Sequence, residues 1–177
     1  NDEQRRFVRE GLRACRRLDE FVEDLIESRP DEKTPFAVIL RPGDLHETIE
    51  GQLESLLPML EGRGAKVVIE LRAAISKTQF DDRRIEQVVN NLMTNAIRYG
   101  CASGVIRVGT IDTSIGNEPA IAVSVEDEGP GIPVQDRERL FAPFVRGTKV
   151  GISRGLGIGL AICRRIIEAH HGQIYVE

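Results

Sequence analysis

Between Ile85 and Tyr99 the side chains divide by helical spacing into two faces of opposite chemistry. Gln87, Asn91 and Asn95 fall at four-residue steps, with Arg98 next on the same face. Ile85, Val89, Leu92 and Ala96 recur at spacings of three and four on the other side, as a core stripe does. Amides are mediocre helix formers, so stacking two Asn there has an intrinsic cost. One Asn would be ordinary surface. Two Asn, a Gln and an Arg on one face read as a polar site. An amide oxygen is a hard ligand suited to Mg²⁺, and a guanidinium suits phosphate.

Two glycine-rich stretches follow. Asp127-Glu128-Gly129-Pro130-Gly131 stands directly after an expected strand ending at Glu126. Such a run makes a common tight turn. It also lets a ligand approach the backbone, with Asp127 fixed at the strand end as an acceptor. Gly155-Leu156-Gly157-Ile158-Gly159-Leu160 opens a helix, where free N–H groups and the positive dipole end can hold phosphate. A Rossmann reading needs a strand just before the glycines, but Val145 to Arg154 is a basic segment. No Gly-Lys-Ser/Thr is present, so the two commonest nucleotide folds are disfavoured while phosphate binding is not. Between the stretches, Phe141-Ala142-Pro143-Phe144 leads into Val145-Arg146-Gly147-Thr148-Lys149. Two Phe around a Pro can be a packed corner; followed by Gly, Lys and Arg they read as the hinge of a lid over an anion.

Composition removes other chemistries. With 24 Lys plus Arg against 28 Asp plus Glu, no Trp and 5% aromatics, the chain is a poor nucleic-acid binder. Its longest apolar runs, such as Phe36 to Leu40, are far too short to span a bilayer, and no signal peptide is visible. Cys15, Cys101 and Cys163 are scattered, which suggests reduced thiols in the cytoplasm rather than a disulfide framework. No local motif supports a nucleophilic Cys, and with only His46, His170 and His171 no zinc spacing exists.

The elements that must position these residues can be read in order. Residues 1–29 form one expected helix with a seven-residue repeat: Val8, Cys15 and Val22 in one series, Leu18 and Leu25 in another. Its early arginines (Arg5 to Arg17) and late acids (Asp19 to Glu27) oppose the helix dipole, so it needs a partner helix. Residues 30–35 read as a linker and Phe36 to Leu40 as a short strand. Asp44 caps a helix to about Gly62, whose last turn Pro58 should kink or interrupt. Lys66 to Arg72 is a strand, and Asp81 caps a helix through Tyr99. Val105 to Ile111 and Ala120 to Glu126 are strands joined by a turn over Ile115 to Pro119. A helix from about Gly157 to His170 precedes a final strand from Gln173. The expected class is α+β: a two-layer sandwich with a mixed, mostly antiparallel sheet and helices on one face.

In order and spacing, the motifs resemble the catalytic, ATP-binding domain of two-component sensor histidine kinases, within the gyrase, Hsp90, histidine kinase and MutL group. Asn91-Leu92-Met93-Thr94-Asn95-Ala96-Ile97-Arg98-Tyr99 resembles the family's asparagine box and Asp127 to Ile132 its first glycine box. Phe141 to Phe144 resembles the phenylalanine box and Gly155 to Leu160 the second glycine box. The resemblance implies that Asn91 ligates Mg²⁺, with Asn95 near the phosphates or metal, Arg98 on phosphate and Tyr99 packed by the base. It implies that Asp127 accepts from the adenine amino group. Gly129, Gly131, Gly155, Gly157 and Gly159 would shape the base pocket and lid hinges, and Lys149 and Arg154 would be lid cations. Ile132, Phe144, Leu156 and Leu160 complete the implied ATP-binding set. The implied cofactors are ATP and Mg²⁺.

The resemblance starts at about Phe36, and residues 1–29 resemble the second helix of the family's dimerisation and phosphoacceptor hairpin. It implies a homodimer in the intact protein, phosphotransfer to a hairpin histidine and onward signalling to a receiver domain. No nucleic acid is expected, nor membrane contact by this stretch, although the parent protein can be a membrane-anchored sensor. The phosphoacceptor context is missing. His46-Glu47-Thr48-Ile49 lacks the family's Arg and Pro, and His170-His171 ends a helix. The chain also stops where the family continues into another strand, so it reads as a fragment with no autophosphorylation of its own. The runner-up is an ATP-hydrolysing machine of the same group, which needs a Glu base one turn before the metal Asn. Gln87 stands there, with Glu86 rotated about 100° away. A degenerate nucleotide-binding interaction module is the third reading.

Overall fold

Two aspartates start the two long helices. The computed structural model describes residues 36–100, 104–145 and 157–177. The expected helix 1–29, the linker 30–35, Cys15, Cys101, Lys149, Arg154, Gly155 and Leu156 lie outside the described residues. Strand β1 (Arg41–Asp44) leads into helix α1 (Leu45–Arg63), where the Asp44 carboxylate accepts from the His46 N–H at 3.0 Å. Gly64 ends the helix at φ 65°, donating its N–H to the Leu60 and Glu61 carbonyls. Strands β2 (Lys66–Leu71) and β3 (Lys77–Phe80) follow, then helix α2 (Asp82–Tyr99). Asp81 caps α2 by accepting from the Arg84 N–H at 3.3 Å. Strands β4 (Val105–Ile115) and β5 (Glu118–Asp127) come next. The short helix α3 (Val134–Arg137), a 3-10 turn (Arg139–Phe141) and helix α4 (Gly159–Ala169) complete the elements.

The architecture is the expected α+β arrangement with a mixed sheet. In it β2 runs parallel to β4, and β4 runs antiparallel to β5. A parallel neighbour requires a crossover, and the segment holding α2 supplies it. Strands β1 and β3 form a separate antiparallel ladder. Ile49, Leu53, Leu56 and Leu60 of α1 pack with Val89, Met93 and Ala96 of α2 against Ile106 and Val108 of β4. A second cluster, Val88 with Ile158, Ile162, Cys163 and Ile166, joins α2 to α4. The core stripe of α2 is therefore wider than expected. Ile85 and Leu92 are only partly buried, while Val88, Met93 and Ile97 are fully inside, because α2 is packed from two sides.

Four expectations about elements need correction. Phe36 to Leu40 forms no strand. The Ile39 N–H is spent on the Asp81 carboxylate at 2.8 Å, and the guanidiniums of Arg84 and Arg165 both stack on the Phe36 ring. The ladder begins instead at Arg41, paired with β3, a strand that the sequence pattern does not predict. Pro58 does not interrupt α1: it sits on the exposed side, where water can solvate the carbonyl it leaves unbonded. The β4–β5 hairpin closes at Ile115 opposite Glu118, with Gly116 at φ 62°, so its turn is two residues rather than five. From Gln173 onward no ladder forms among the described residues. Ile174 nevertheless packs on the second cluster and Tyr175 points outward, the alternation of an extended chain.

Candidate functional site

Helix α2 is the axis on which the polar residues meet. Its two packed sides leave Asn91 and Asn95 half-buried and Arg98 exposed beside the Tyr99 ring, 6.0 Å from guanidinium to centroid. Asn91 Nδ2 donates to the Gly159 carbonyl at 3.5 Å, which turns Oδ1 to the Gly159 Cα. A Cβ added at Gly159 would stand 3.2 Å from that oxygen. Gly159 thus closes directly on the asparagine face, and a side chain there would crowd the amide oxygen. Leu160, next in α4, is half-buried.

The first glycine stretch meets the C-terminal end of the same helix. Asp127 is the last residue of β5 and faces the inner side of the sheet in register with Ile106. Its Oδ1 accepts from the Gly129 N–H at 2.7 Å, leaving Oδ2 uncommitted by that bond. Gly129 is wedged in, since an added Cβ would lie 2.9 Å from the Tyr99 carbonyl and 3.2 Å from the Gly100 Cα. Gly100, unremarked in the sequence reading, is equally constrained: a Cβ there would stand 2.4 Å from the Ala96 carbonyl and 3.3 Å from the Asp127 Cβ. A glycine directly after the last helical residue was the available signal. Gly131 takes φ 68°, and Ile132 beside it is 38% exposed.

The phenylalanine stretch joins from the other direction. Phe141 is buried under the guanidinium of Arg164 on α4, whereas Phe144 is 60% exposed and held at φ 63°. Its N–H donates to the Gly157 carbonyl at 3.0 Å. Gly157 does not begin the helix as expected. It sits at φ 71° with its Cα against Val145, and α4 starts two residues later. Ile158, the N-cap residue of α4, supplies no side-chain cap to the first N–H groups. We expect Gly157→Ala to cost about 1–2 kcal/mol for the left-handed backbone alone. More is lost to the 2.4 Å contact that its Cβ would make with the Val145 carbonyl. Thermal unfolding checks this; an unchanged midpoint would refute the steric argument.

Other chemistry is not assembled nearby. Among the described residues no three His, Cys, Asp or Glu side chains are placed to hold a metal ion. Gln87 Oε1 accepts from Arg84 Nη1 at 3.0 Å, so an amide occupies the position a hydrolytic base would need. A cleft of about 430 Å³ between α1 and β2 is lined by Leu53, Leu57, Leu60, Val67 and Ile69 and contains none of the motif residues. No described helix is long and apolar enough to cross a membrane.

Known proteins share this arrangement. The adaptive-response sensory kinase SasA of Synechococcus sp. (strain JA-2-3B'a(2-13)) is 31% identical over 174 residues, 98% of this chain and 45% of that protein. The chain thus spans about half the length of the curated relatives it matches. The catalytic domain of the histidine kinase ThkA has 30% identity and a TM-score of 0.62, over 73% of this chain and 80% of that one. Full-length ShkA, solved in complex with AMPPNP, shares the fold at 24% identity, with a TM-score of 0.78 over 98% of this chain and 35% of that one. The model for histidine kinase-, DNA gyrase B- and HSP90-like ATPases matches residues 80–177, more than half of the chain and all four motifs. The chain belongs to this ATPase family.

Proposed function

We propose that this chain is the ATP-binding core of a sensor histidine kinase, with residues 36–177 as the catalytic domain, 30–35 as a linker and 1–29 as the second helix of the phosphoacceptor hairpin. The observation that carries it is the contact between Asn91 on α2 and Gly159, the first residue of α4. A metal-seeking amide oxygen and a phosphate-seeking helix terminus are thereby side by side. Asp127, at the far end of α2, accepts from the adenine amino group through the oxygen that its bond to Gly129 leaves over. Tyr99 packs by the base, and Arg98 and Asn95 reach toward the phosphates. Gly129, Gly131, Gly155, Gly157 and Gly159 serve the base pocket and the lid hinges, Lys149 and Arg154 are lid cations, and Ile132, Phe144, Leu156 and Leu160 complete the ATP-binding set. Bound Mg²⁺ supplies charge neutralisation at the phosphoryl oxygens.

The nucleophile is a histidine outside this chain, on a hairpin of the same protein that pairs with residues 1–29 in a cytoplasmic homodimer. The phosphoryl group then passes to the receiver domain of a response regulator. None of the three histidines here suits the role. His46 Nε2 is bonded to the buried Thr110 hydroxyl at 2.8 Å, in the first turn of α1. His170 uses both ring nitrogens within the fold, and His171 sits in the turn after α4.

The test is calorimetric titration with Mg-ATP, then incubation with radiolabelled ATP alone and with a hairpin carrying a phosphoacceptor histidine. We expect binding, no acid-labile label on the isolated chain, and slow transfer to the added hairpin, because no linkage raises its effective concentration. Label on the isolated chain that disappears in His46→Ala would overturn this assignment. Hydrolysis without transfer would favour the ATPase reading, which Gln87 argues against because an amide takes no proton.

A further inference from the structure

Two hydrogen bonds among the described residues link the two ends of the α2–α4 pair, and one of them belongs to the site. At the site, Asn91 meets Gly159. At the opposite end, the Asp81 N–H donates to His170 Nε2 at 2.9 Å, while His170 Nδ1 lies 2.7 Å from the Ile166 carbonyl. A carbonyl only accepts, so Nδ1 holds the proton and Nε2 presents its lone pair to the Asp81 N–H. Both nitrogens of the neutral ring are thereby committed, and one tautomer is selected. Along α2 the two places are ten residues apart and along α4 eleven, rises of about 15 and 16 Å. The pins therefore match in length on two helices running in opposite directions.

Between them lie Val88, Ile162, Cys163 and Ile166, all buried. Apolar packing holds the helices together but is non-directional. It resists separation more than sliding. A directional bond resists sliding as well, and the one at Asp81 is the shorter of the two, 2.9 Å against 3.5 Å.

We propose that His170 is a positioning residue: by accepting the Asp81 N–H it fixes the register of α4 on α2, and so the seat of Gly159 against Asn91, in its neutral form only. This rests on the nucleotide-binding reading of that contact. A proton taken from solvent at Nε2 would set N–H against N–H. The charged ring would then be drawn to the Asp81 carboxylate, whose oxygens already serve the Ile39 and Arg84 N–H groups. That carboxylate is anionic in the fold. Burial opposes its charge, but those two N–H groups and the Arg84 guanidinium hold its pKa below the ordinary value. The ionisable residues nearest Asp81 and His170 in sequence are Asp82, Arg83 and Arg84 in the first turn of α2, and Arg165, Glu168 and His171 in the last turns of α4 and the turn after it. Segment 36–40 brings backbone and Phe36 but no titratable side chain.

The experiment compares the whole chain with His170→Gln and His170→Ala between about pH 5 and 8, the interval in which histidines change charge. A Gln oxygen can accept the Asp81 N–H without titrating. Mg-ATP affinity of the wild type should fall about fivefold on acidification beyond any fall in His170→Gln, the scale of one hydrogen bond. His170→Ala should be weaker throughout. In parallel, without nucleotide, imidazole ¹⁵N shifts should report the Nδ1–H tautomer. The Asn91 side-chain amide should follow the His170 titration in the wild type and not in His170→Gln. Identical pH profiles for wild type and His170→Gln, an Nε2–H tautomer, or an Asn91 amide blind to His170 would overturn the proposal. If no form binds Mg-ATP, the nucleotide reading fails, while the Asn91 amide still decides whether His170 sets the register. Should His170→Ala not fold, His170→Gln and the tautomer measurement suffice.

Discussion

Asn91→Ala should weaken Mg-dependent ATP binding by about tenfold or more, the scale of one hydrogen bond or ligand contact to a charged group. The argument is local. Asn91 gives its amide N–H to the Gly159 carbonyl, and the same geometry turns Oδ1 toward the space that Gly159 keeps free. Alanine removes both groups. Water replaces the lost oxygen only in part, because nothing then orients it. The effect should be specific to the metal. In the presence of a chelator the wild type and the variant should bind ATP about equally weakly, whereas in Mg²⁺ they should separate. The side chain is half-buried on an otherwise well-packed helix, so the fold should survive, and circular dichroism verifies this before titration. Unchanged Mg-dependent affinity in a folded Asn91→Ala would remove Asn91 from the metal site.

Much of this arrangement was readable because local chemistry and tertiary packing agree on α2. Its cap Asp81, its polar row and its terminating glycine all lie within the helix or one residue beyond it, and each is a short-range signal. Segment 36–40 shows the opposite case. Five apolar residues look like a strand, yet their backbone and first ring are claimed by Asp81, Arg84 and Arg165, between 42 and 129 positions away in sequence. No local pattern encodes those partners. Strand β3 was missed for a related reason: Lys77-Thr78-Gln79-Phe80 has one apolar residue, and its ladder depends on β1. The α4 boundary failed by two residues because a glycine run does not say which glycine takes positive φ. Gly157 does, since its carbonyl is needed by Phe144. His170 was weighed as a nucleophile and set aside on sequence grounds. Its bond to the start of α2 spans 89 positions and is visible only in the fold.

Base selection gives a second large effect, centred on Asp127. Oδ1 is committed to the Gly129 N–H at 2.7 Å, so the carboxylate can meet a base only as an acceptor, through Oδ2. Adenine offers an amino donor at the position where guanine offers a carbonyl. GTP would therefore oppose two acceptors, a mismatch of about 1–3 kcal/mol, and ATP should outcompete GTP by about 5- to 150-fold. The bond to the Gly129 N–H is what orients the carboxylate, whose side chain is otherwise exposed. Asp127→Asn sharpens the test. Its Oδ1 can keep the Gly129 N–H while Nδ2 turns a donor toward the base, so ATP should weaken and GTP should gain. Competition titrations against a fluorescent adenine nucleotide read both changes on one scale. Equal competition by GTP in the wild type, or an Asn variant with the wild-type preference, would place the base elsewhere and leave Asp127 as only the turn residue that holds Gly129.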